Sequence, residues 1–260
     1  MSYGDDIMTT GTARKMKARF PNHKVLIGDG WREYRSPIFI NNPNIDTLNS
    51  VRTSDQVVWI HDYWGNRPYL NNSLTTMDRN VFVPFKPVKG DLYFTASEIQ
   101  AAKKAIKALD SFVVIEPNIK STYCTKNKDW GFDKWQRVVD QLRQKTTFVQ
   151  LGDKKARTLK GVTRIITDNF RAACAILSFA KLLAGPEGGL HHAAAALDIP
   201  AVVIFGGRIS PKTTGYKIHI NLYVDLPGSP CGMVAECKHC KRCLANISVK
   251  QVTEAIDEKL

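Results

Sequence analysis

The feature that most constrains the fold is the regular alternation of short apolar runs and amphipathic helices between Phe112 and Phe205. Strands that alternate with helices at this spacing form a parallel sheet, because each helix carries the chain back across one face of the sheet. The alternation therefore predicts an α/β fold with helices on both faces. The predicted strands are 112–115, 147–151, 162–166, 182–184 and 201–205, and the predicted helices are 133–144, 170–180 and 190–197.

The amino-terminal part carries a sparser version of the same pattern. Its predicted elements are a helix at 10–20, strands at 24–28 and 57–60, a loop rich in Pro, Asn and Asp at 66–90, and a helix at 95–109. We place a domain boundary near residue 110 and a final amphipathic helix at 248–260.

The chain of 260 residues is basic, with 37 Lys and Arg, 24 Asp and Glu, and a net charge of +13. Such a charge attracts an anionic partner such as a sugar nucleotide, a phosphorylated glycolipid or a nucleic acid, and a generically basic protein is the alternative. No apolar run reaches the ~18 residues that a membrane span needs. The first twenty residues lack the apolar block of a secretory signal. These features predict a cytoplasmic protein without a membrane span.

The turn Gly185-Pro186-Glu187-Gly188-Gly189 joins a predicted strand to an alanine-rich helix. Glycine lets backbone N–H groups approach an anion closely, and the helix N-terminus adds a partial positive charge. Open parallel sheets bind ligands at the carboxyl ends of their strands. The turn therefore predicts a phosphate cradle, with a purely structural tight turn as the alternative.

Two neighbouring histidines, His191 and His192, follow this turn. Adjacent residues on a helix point about 100° apart, which argues against both of them binding one metal ion. We expect His192 to face a ligand and His191 to be exposed. A capping role for both is the alternative.

The stretch from Glu187 to Gly206 resembles the signature of glycosyltransferase family 9, the ADP-heptose heptosyltransferases. The family pattern Asp-Thr-Gly-x-x-His-x-Ala-Ala-Ala-Leu is followed by Pro and a strand that ends in Phe-Gly. Glu187 stands at the Asp of this pattern, Gly188 at the Thr, Gly189 at the Gly and His192 at the His. The resemblance implies that these four residues bind the diphosphate and the neighbouring sugar of a nucleotide-sugar donor.

A polar, cationic loop follows the strand 112–115 and suits a pyrophosphate, because a lysine there offsets the charge that grows on a phosphate leaving group. The family's Lys-x-Trp-Pro-x-x-x-Trp motif is similar to Lys128, Trp130 and Trp135, with Gly131 in place of the proline. By this resemblance Lys128 binds phosphate and the two tryptophans are packing residues. Asn118, in the same loop, is a further candidate for substrate binding. A solvated lysine beside core tryptophans is the alternative.

The amino terminus carries the catalytic candidate, Asp5. The family opens with a strand and then Gly-Asp-x-Leu-x-x-Thr, in which the Asp is the general base that deprotonates the acceptor hydroxyl; Gly4 and Asp5 match its first two positions. On the residues alone, capping of the first helix is the alternative. Only three residues precede Gly4, so we expect a shortened amino-terminal half that lacks most of the family's first strand.

Four of the six cysteines lie close together near the carboxyl end: Cys231, Cys237, Cys240 and Cys243. Such a cluster in a cytoplasmic protein favours a metal over disulfides. However, its two C-x2-C units overlap at Cys240, unlike the separate pairs of structural zinc sites, and the last element of an iron–sulfur motif is missing. We therefore predict no metal site and no cofactor, with metal binding by the four cysteines as the alternative.

The resemblance implies a GT-B-type α/β fold with an acceptor-side Rossmann-like domain at 1–110, a donor-binding one at 111–247 and a terminal helix at 248–260. The predicted reaction is inverting, metal-independent transfer of a sugar from a nucleotide-diphosphate sugar, such as an ADP-heptose-like donor. The expected acceptor is a hydroxyl of an anionic glycan or glycolipid, of lipopolysaccharide type or another surface glycan. Two alternatives are a glycosyltransferase that modifies nucleic acid and a non-catalytic nucleotide-sugar-binding protein.

Overall fold

The computed structural model describes residues 3–63, 65–119 and 123–260, without the side chains of residues 123 and 124. Lys120, Ser121 and Thr122 of the predicted cationic loop therefore lie outside the described residues. The strands are β1 (Lys24–Ile27), β2 (Val57–Ile60), β3 (Phe112–Ile115), β4 (Thr147–Gly152), β5 (Thr163–Ile166), β6 (Leu182–Pro186), β7 (Ala201–Ile204) and β8 (Ile220–Leu222). The helices are α1 (Tyr3–Arg19), α2 (Ala96–Ala105), α3 (Phe132–Leu142), α4 (Phe170–Leu177), α5 (Gly189–Ala196), α6 (Pro211–Thr214), α7 (Lys238–Ala245) and α8 (Val249–Asp257), with short 3-10 turns at Pro37–Phe39, Leu48–Ser50 and Tyr123–Lys128.

Strands β3 to β8 form a parallel sheet in the order β5-β4-β3-β6-β7-β8. The chain runs outward from β3 to β5 on one side and from β6 to β8 on the other, so the order reverses between β3 and β6. This reversal is the topological switch point at which open parallel sheets bind ligands. The predicted parallel sheet is confirmed. β8 escaped prediction because it is three residues long and has a polar residue, Asn221, at its centre.

The core lies on both faces of this sheet, as alternating side chains of a strand require. Val113 and Ile115 face a cluster built with α3 and α8, while Val114 faces a cluster built with α1, α4 and α5. Trp130 and Trp135 are buried in the first of these clusters, and Trp130 Nε1 donates a hydrogen bond to the carbonyl of Ile247 at 2.9 Å. Both tryptophans thus pack as expected.

Helix α1 begins at Tyr3, so the predicted start at Thr10 is wrong. The segment from Gly4 to Gly11 contains two glycines and two threonines, which are weak helix formers. Every residue of this segment is buried, and tertiary packing supplies the stability that propensity does not. The helix packs against α5, and a Cβ atom built on Gly4 would lie 2.6 Å from Cδ2 of His192.

The amino-terminal elements share a core with the large sheet. β1 and β2 form a parallel two-stranded sheet over a small cluster of Ala13, Val25, Ile27 and Ile60. Ile7, Tyr69 and Ile106, by contrast, belong to the same cluster as one face of the large sheet. Across residues 3–63, 65–119 and 123–260 we find no helix whose length and apolar character would suit a membrane crossing.

Candidate functional site

A cleft of about 1000 Å³ opens at the carboxyl ends of β3 and β6, at the switch point of the sheet. Its size suits a nucleotide-sized ligand. The first turn of α1 and part of the loop after β2 form its other wall. All the residues predicted as site residues line this cleft: Asp5, Asn118, Lys128, Glu187, Gly188, Gly189 and His192.

The glycine turn borders the cleft directly. β6 ends at Pro186, Gly188 is extended, and α5 begins at Gly189. A Cβ atom on Gly188 would meet nothing nearer than the Pro186 carbonyl at 3.9 Å, so the turn is open at Gly188, whereas a Cβ atom on Gly189 would lie 3.0 Å from the ring of Phe170. The N-terminus of α1 lies alongside, because the backbone nitrogen of Gly4 is 4.0 Å from the position of a Cβ atom on Gly189. Two helix N-termini therefore direct partial positive charge at one place.

Glu187 is buried behind this turn and forms a salt bridge between its Oε2 and Lys128 Nζ. Its Oε1 lies 3.7 Å from Nε2 of His192. Burial would raise the pKa of Glu187, but Lys128 and His192 outweigh burial and hold that pKa well below its ordinary value. Glu187 is therefore a carboxylate, and it compensates much of the charge of Lys128.

Both histidines are buried, so the expectation that His191 is exposed is wrong. Phe205, Tyr216 and His219 pack against the ring of His191, and Gly4 of α1 rests on the ring of His192. His192 Nδ1 lies 2.8 Å from the hydroxyl of Tyr216, while His191 stacks edge-on against Phe205. Burial lowers the pKa of His191 well below its ordinary value, so this ring is neutral.

Candidate metal ligands meet here despite the angle between adjacent helical residues. The ligand atoms of Glu187, His191 and His192 all lie within 4.8 Å of one another. However, the ammonium group of Lys128 already contacts Glu187. A metal ion would have to displace that ammonium group, so the cluster is better described as an ion pair flanked by imidazoles.

Asp5 lies in the first turn of α1 and is 5% exposed. Tyr69 donates its hydroxyl hydrogen to Oδ1 at 2.5 Å, and Arg67 donates from Nε to Oδ2 at 2.9 Å. Each carboxylate oxygen can accept a second hydrogen bond, so Asp5 is oriented and still able to bind a substrate hydroxyl. Its neighbour Asp6 points elsewhere and accepts a hydrogen bond from Ser36 Oγ at 2.7 Å.

Arg208 is a cleft residue that sequence reasoning missed. It follows β7 and is 5% exposed, and its Nη2 donates to Asn80 Oδ1 at 2.7 Å. Its Nε is buried without a hydrogen-bond partner in the described part of the chain. The other two Lys or Arg side chains of the cleft are paired, Arg67 with Asp5 and Lys128 with Glu187, whereas no described carboxylate forms a salt bridge with Arg208. The only local signal was an arginine after two glycines at a strand end.

The end of β3 contributes Glu116 and Asn118. Burial raises the pKa of Glu116 to about 7, and its Oε1 accepts a hydrogen bond from the backbone nitrogen of Asn118 at 2.8 Å. The side chain of Asn118 donates to the carbonyl of Arg157 at 2.9 Å. Asn118 thus lines the cleft while its amide group also fastens the loop after β4.

The cysteine cluster lies apart from the residues that line the cleft. The Sγ atoms of Cys231, Cys237 and Cys240 lie within 4.8 Å of one another, and Cys243 Sγ is 3.6 Å from Nε2 of His239. The last three cysteines belong to the start and body of α7, a helix that the sequence did not predict. These residues could hold a metal ion.

The family model of glycosyltransferase family 9 (heptosyltransferase) matches residues 71–237, which is more than half of the chain. Comparison with curated proteins finds no match. Solved structures that resemble the chain include a family 9 glycosyl transferase from Veillonella parvula DSM 2008, with a TM-score of 0.68 and 16% identity over 100% of this chain and 94% of that one.

Two Escherichia coli structures are also similar. ADP-heptose lps heptosyltransferase II has a TM-score of 0.64 and 14% identity, over 99% of this chain and 96% of that one. The iron-containing dodecameric glycosyltransferase TibC from enterotoxigenic E. coli H10407 has a TM-score of 0.65 and 16% identity, over 100% of this chain and 74% of that one. These likenesses confirm the predicted GT-B-type α/β fold with parallel sheets. Because the family model matches more than half of the chain, the chain belongs to glycosyltransferase family 9 and is a heptosyltransferase-like glycosyltransferase.

Proposed function

We propose that this glycosyltransferase transfers a sugar from a nucleotide-diphosphate sugar of the ADP-heptose class to a hydroxyl group of an anionic surface glycan or glycolipid. The observation that carries the proposal is the glycine turn at Gly188 and Gly189, which is open at Gly188 and presents the N-terminus of α5 to a cleft at the switch point of the sheet. The named activity of the E. coli relative supports the donor class.

In this proposal the diphosphate binds at the turn, where backbone N–H groups and two helix N-termini stabilise negative charge. Lys128 contacts the phosphate while it remains beside Glu187, and His192 stands on the other side of the same carboxylate. The buried pair orients the ammonium group before the donor arrives. Preorganised charge of this kind stabilises the charge that develops on the leaving nucleoside diphosphate.

Arg208 supplies positive charge to the cleft, whereas the charges of Arg67 and Lys128 are compensated by Asp5 and Glu187. A buried guanidinium group without a counter-ion is costly, because desolvation of its charge is not repaid by attraction. A diphosphate entering the cleft brings the missing negative charge. We therefore assign Arg208 to a phosphate oxygen of the donor, with Asn80 fixing the orientation of the guanidinium plane.

Asp5 is the proposed general base. The acceptor hydroxyl attacks the anomeric carbon as Asp5 takes its proton, and the bond from that carbon to the phosphate oxygen breaks with its electron pair leaving on the nucleoside diphosphate. A single displacement of this kind inverts the anomeric configuration. Arg67 and Tyr69 hold the carboxylate in one orientation through their hydrogen bonds. Because Lys128, Arg208 and the helix N-termini carry the charge stabilisation, the step needs no metal.

A thermal-shift titration with nucleoside diphosphates and their sugars tests the donor class. A ligand that binds only the folded state stabilises it by RT ln(1 + [L]/Kd), which is about 2.7 kcal/mol at one hundred times Kd. We expect ADP and ADP-linked sugars to raise the midpoint more than UDP or GDP derivatives. A midpoint that no diphosphate moves would contradict the proposed cradle.

The net charge of +13 also fits a nucleic-acid acceptor. Binding of DNA or RNA that weakens steeply with added salt, together with sugar transfer to it, would favour that acceptor over a glycan. Transfer to a phosphorylated glycolipid in the presence of competing nucleic acid would support the glycan instead.

A further inference from the structure

Three cysteine sulfurs converge outside the lining of the functional cleft, next to segments that build it. Cys231 Sγ and Cys240 Sγ are 3.3 Å apart, and Cys237 Sγ lies within 4.8 Å of both. Cys240 is fully buried and Cys231 is 8% exposed. All three are thiols that form no disulfide. S–H groups are weak hydrogen-bond donors and sulfur is a weak acceptor. Contacts among the thiols therefore do not explain why the sulfurs converge, whereas a bound ion would.

The spacing of the sulfurs fits one metal ion. A tetrahedral site with bonds of about 2.3 Å from metal to sulfur separates its sulfurs by roughly 3.8 Å. The Cys231–Cys240 distance of 3.3 Å and the limit of 4.8 Å on the other two distances bracket this value. Thiolate sets of this kind select zinc or iron over magnesium or calcium.

The helix α7 removes the objection raised by the overlapping C-x2-C units. Cys237 is the residue before the helix, Cys240 lies in its first turn and Cys243 lies one turn later. Residues three apart on a helix are neighbours on its surface, so Cys240 and Cys243 share a side. Cys231 approaches that side from a separate loop. The overlap is therefore one helix presenting three sulfurs, not two competing knuckles.

Cys243 is the candidate for the fourth ligand, although its Sγ is not among the three that lie within 4.8 Å of one another. It is fully buried, and its Sγ is 3.6 Å from Nε2 of His239 and 3.5 Å from Oγ of Ser229. The backbone of Gly207 lies close to the Cys243 side chain, since a Cβ atom on Gly207 would be 2.6 Å from the sulfur. His239 also hydrogen-bonds Ser229 Oγ at 2.8 Å, which leaves the thiol of Cys243 as the better donor to a metal.

We propose that Cys231, Cys237, Cys240 and Cys243 bind one thiophilic divalent cation, Zn²⁺ or Fe²⁺, as a structural site. The prediction of no metal site was based on spacing along the chain, and the convergence of the sulfurs replaces it. The role is structural because the cleft-lining residues include none of the four cysteines.

The site would fasten three segments that build the cleft. Cys231 donates its backbone N–H to the carbonyl of Gly207 at 2.8 Å, directly before Arg208. Cys237 donates its N–H to Asn127 Oδ1 at 2.9 Å, directly before Lys128. Arg79, from the amino-terminal loop, donates from Nε to the carbonyl of Cys231 at 3.0 Å. Metal binding would thus position both proposed phosphate-binding cations and tie them to the amino-terminal side.

Metal content is the direct test. The full chain is purified under reducing, oxygen-free conditions, stripped with a chelator and titrated with Zn²⁺, Fe²⁺ and Co²⁺ separately. We expect one equivalent of metal per chain by elemental analysis. The Co²⁺ form should show a thiolate-to-metal charge-transfer band and intense ligand-field bands, which report tetrahedral sulfur ligation. Metal should also raise the thermal midpoint by several degrees, because it binds only the folded chain.

Matched variants assign the ligands. Cys240→Ser should lose stoichiometric metal and the charge-transfer band, whereas Cys174→Ala, a buried cysteine outside the cluster, should keep both. Cys243→Ser should weaken binding at least about tenfold if its sulfur is a ligand. Reduced wild-type protein that binds none of the three ions, a Cys231–Cys240 disulfide in protein kept reduced, or full metal content in Cys240→Ser would overturn the proposal. None of these measurements uses the sugar donor, so the donor proposal stands or falls separately.

Discussion

The two walls of the cleft are built in different ways. On the carboxyl-terminal side, Glu116 and the glycine turn stand at the ends of β3 and β6, two neighbouring strands of a six-stranded sheet covered on both faces. On the amino-terminal side, Asp5 is held by Arg67 and Tyr69, which belong to a long loop with only isolated bridges. Backbone geometry fixes the first wall and side-chain contacts fix the second. Substitutions on the two walls should therefore change different measured quantities.

The largest effect should come from the amino-terminal wall. Asp5→Asn removes the proposed base but keeps a side chain of the same shape, so turnover should fall about 10²- to 10⁴-fold. Donor affinity should change far less than turnover, because the side chains proposed to contact the donor, Lys128, His192 and Arg208, lie on the other wall. Initial rates and donor titration measure the two quantities, and Asp110→Asn, at an exposed position, serves as the control. Equal turnover in Asp5→Asn and wild type would remove Asp5 as the base.

The buried ion pair gives the next largest effect, on stability. Lys128→Met leaves Glu187 charged and unpaired in the interior, which should lower the free energy of unfolding by about 3–5 kcal/mol. The control is Lys145→Met, which breaks an exposed pair with Asp257 and should cost about 0–1 kcal/mol. Chemical denaturation measures both. Equal losses would mean that the buried pair stabilises the fold no more than the exposed pair does.

The same pair makes stability depend on pH in one direction. The folded pKa of Glu187 lies below its ordinary value of 4.5, so its contribution is present above pH 4.5 and is lost as the pH falls through the folded pKa. Glu187→Gln should therefore lose less stability than wild type on acidification below pH 4.5. Parallel acid-unfolding curves for the two proteins would contradict the ionised carboxylate.

Arg208 should show opposite effects on binding and on stability. Arg208→Gln removes a buried charge that has no counter-ion, so the ligand-free protein should be as stable as wild type or more stable. Donor affinity should fall about 10- to 100-fold through loss of a charge-assisted hydrogen bond. Arg52→Gln, at an exposed position away from the cleft, is the control. Unchanged donor affinity with raised stability would show that Arg208 does not contact the donor.

The smallest effect concerns Glu116. Its pKa is raised to about 7 from 4.5, so the folded state resists an ionisation that the unfolded state undergoes. Stability should therefore decline as the pH rises from 4.5 to 7, by about 2.5 kcal/mol. Glu116→Gln should flatten this decline. Urea denaturation at pH 5 and pH 8 measures the difference, and an unchanged slope would place the titration on another group.

The sequence was a good guide where structure is local. Every strand of the large sheet except β8 was predicted, because apolar periodicity reports burial of nearby residues. Helix α1 was placed too late, since its glycines and threonines are buried against α5 and against the loop after β2, and this packing offsets their weak helix propensity. The seven predicted site residues all line one cleft because strand ends and turns carry recognisable local patterns.

The sequence was a poor guide where contacts join distant segments. Arg67 meets Asp5 across 62 positions, and Arg208 meets Asn80 across 128, so no local pattern marks either contact. His191 was expected in solvent because its burial depends on Phe205, Tyr216 and His219, which come from later segments of the chain. The spacing of the cysteines could not show that the loop at Cys231 folds back onto α7. Such contacts are settled by tertiary packing, which single-sequence periodicity does not encode.

The contact between Gly4 and His192 has a consequence for how the two substrates meet. A methyl group at residue 4 would collide with the imidazole ring, so the first turn of α1 rests on α5 through bare backbone. The distance from Asp5 to the phosphate cradle is thereby set by contact between the Gly4 backbone and the His192 ring, whose Nδ1 lies 2.8 Å from the Tyr216 hydroxyl. Because glycine has no Cβ atom, residue 4 lets the two helices approach closely, and this approach determines how far a sugar must move from donor to acceptor.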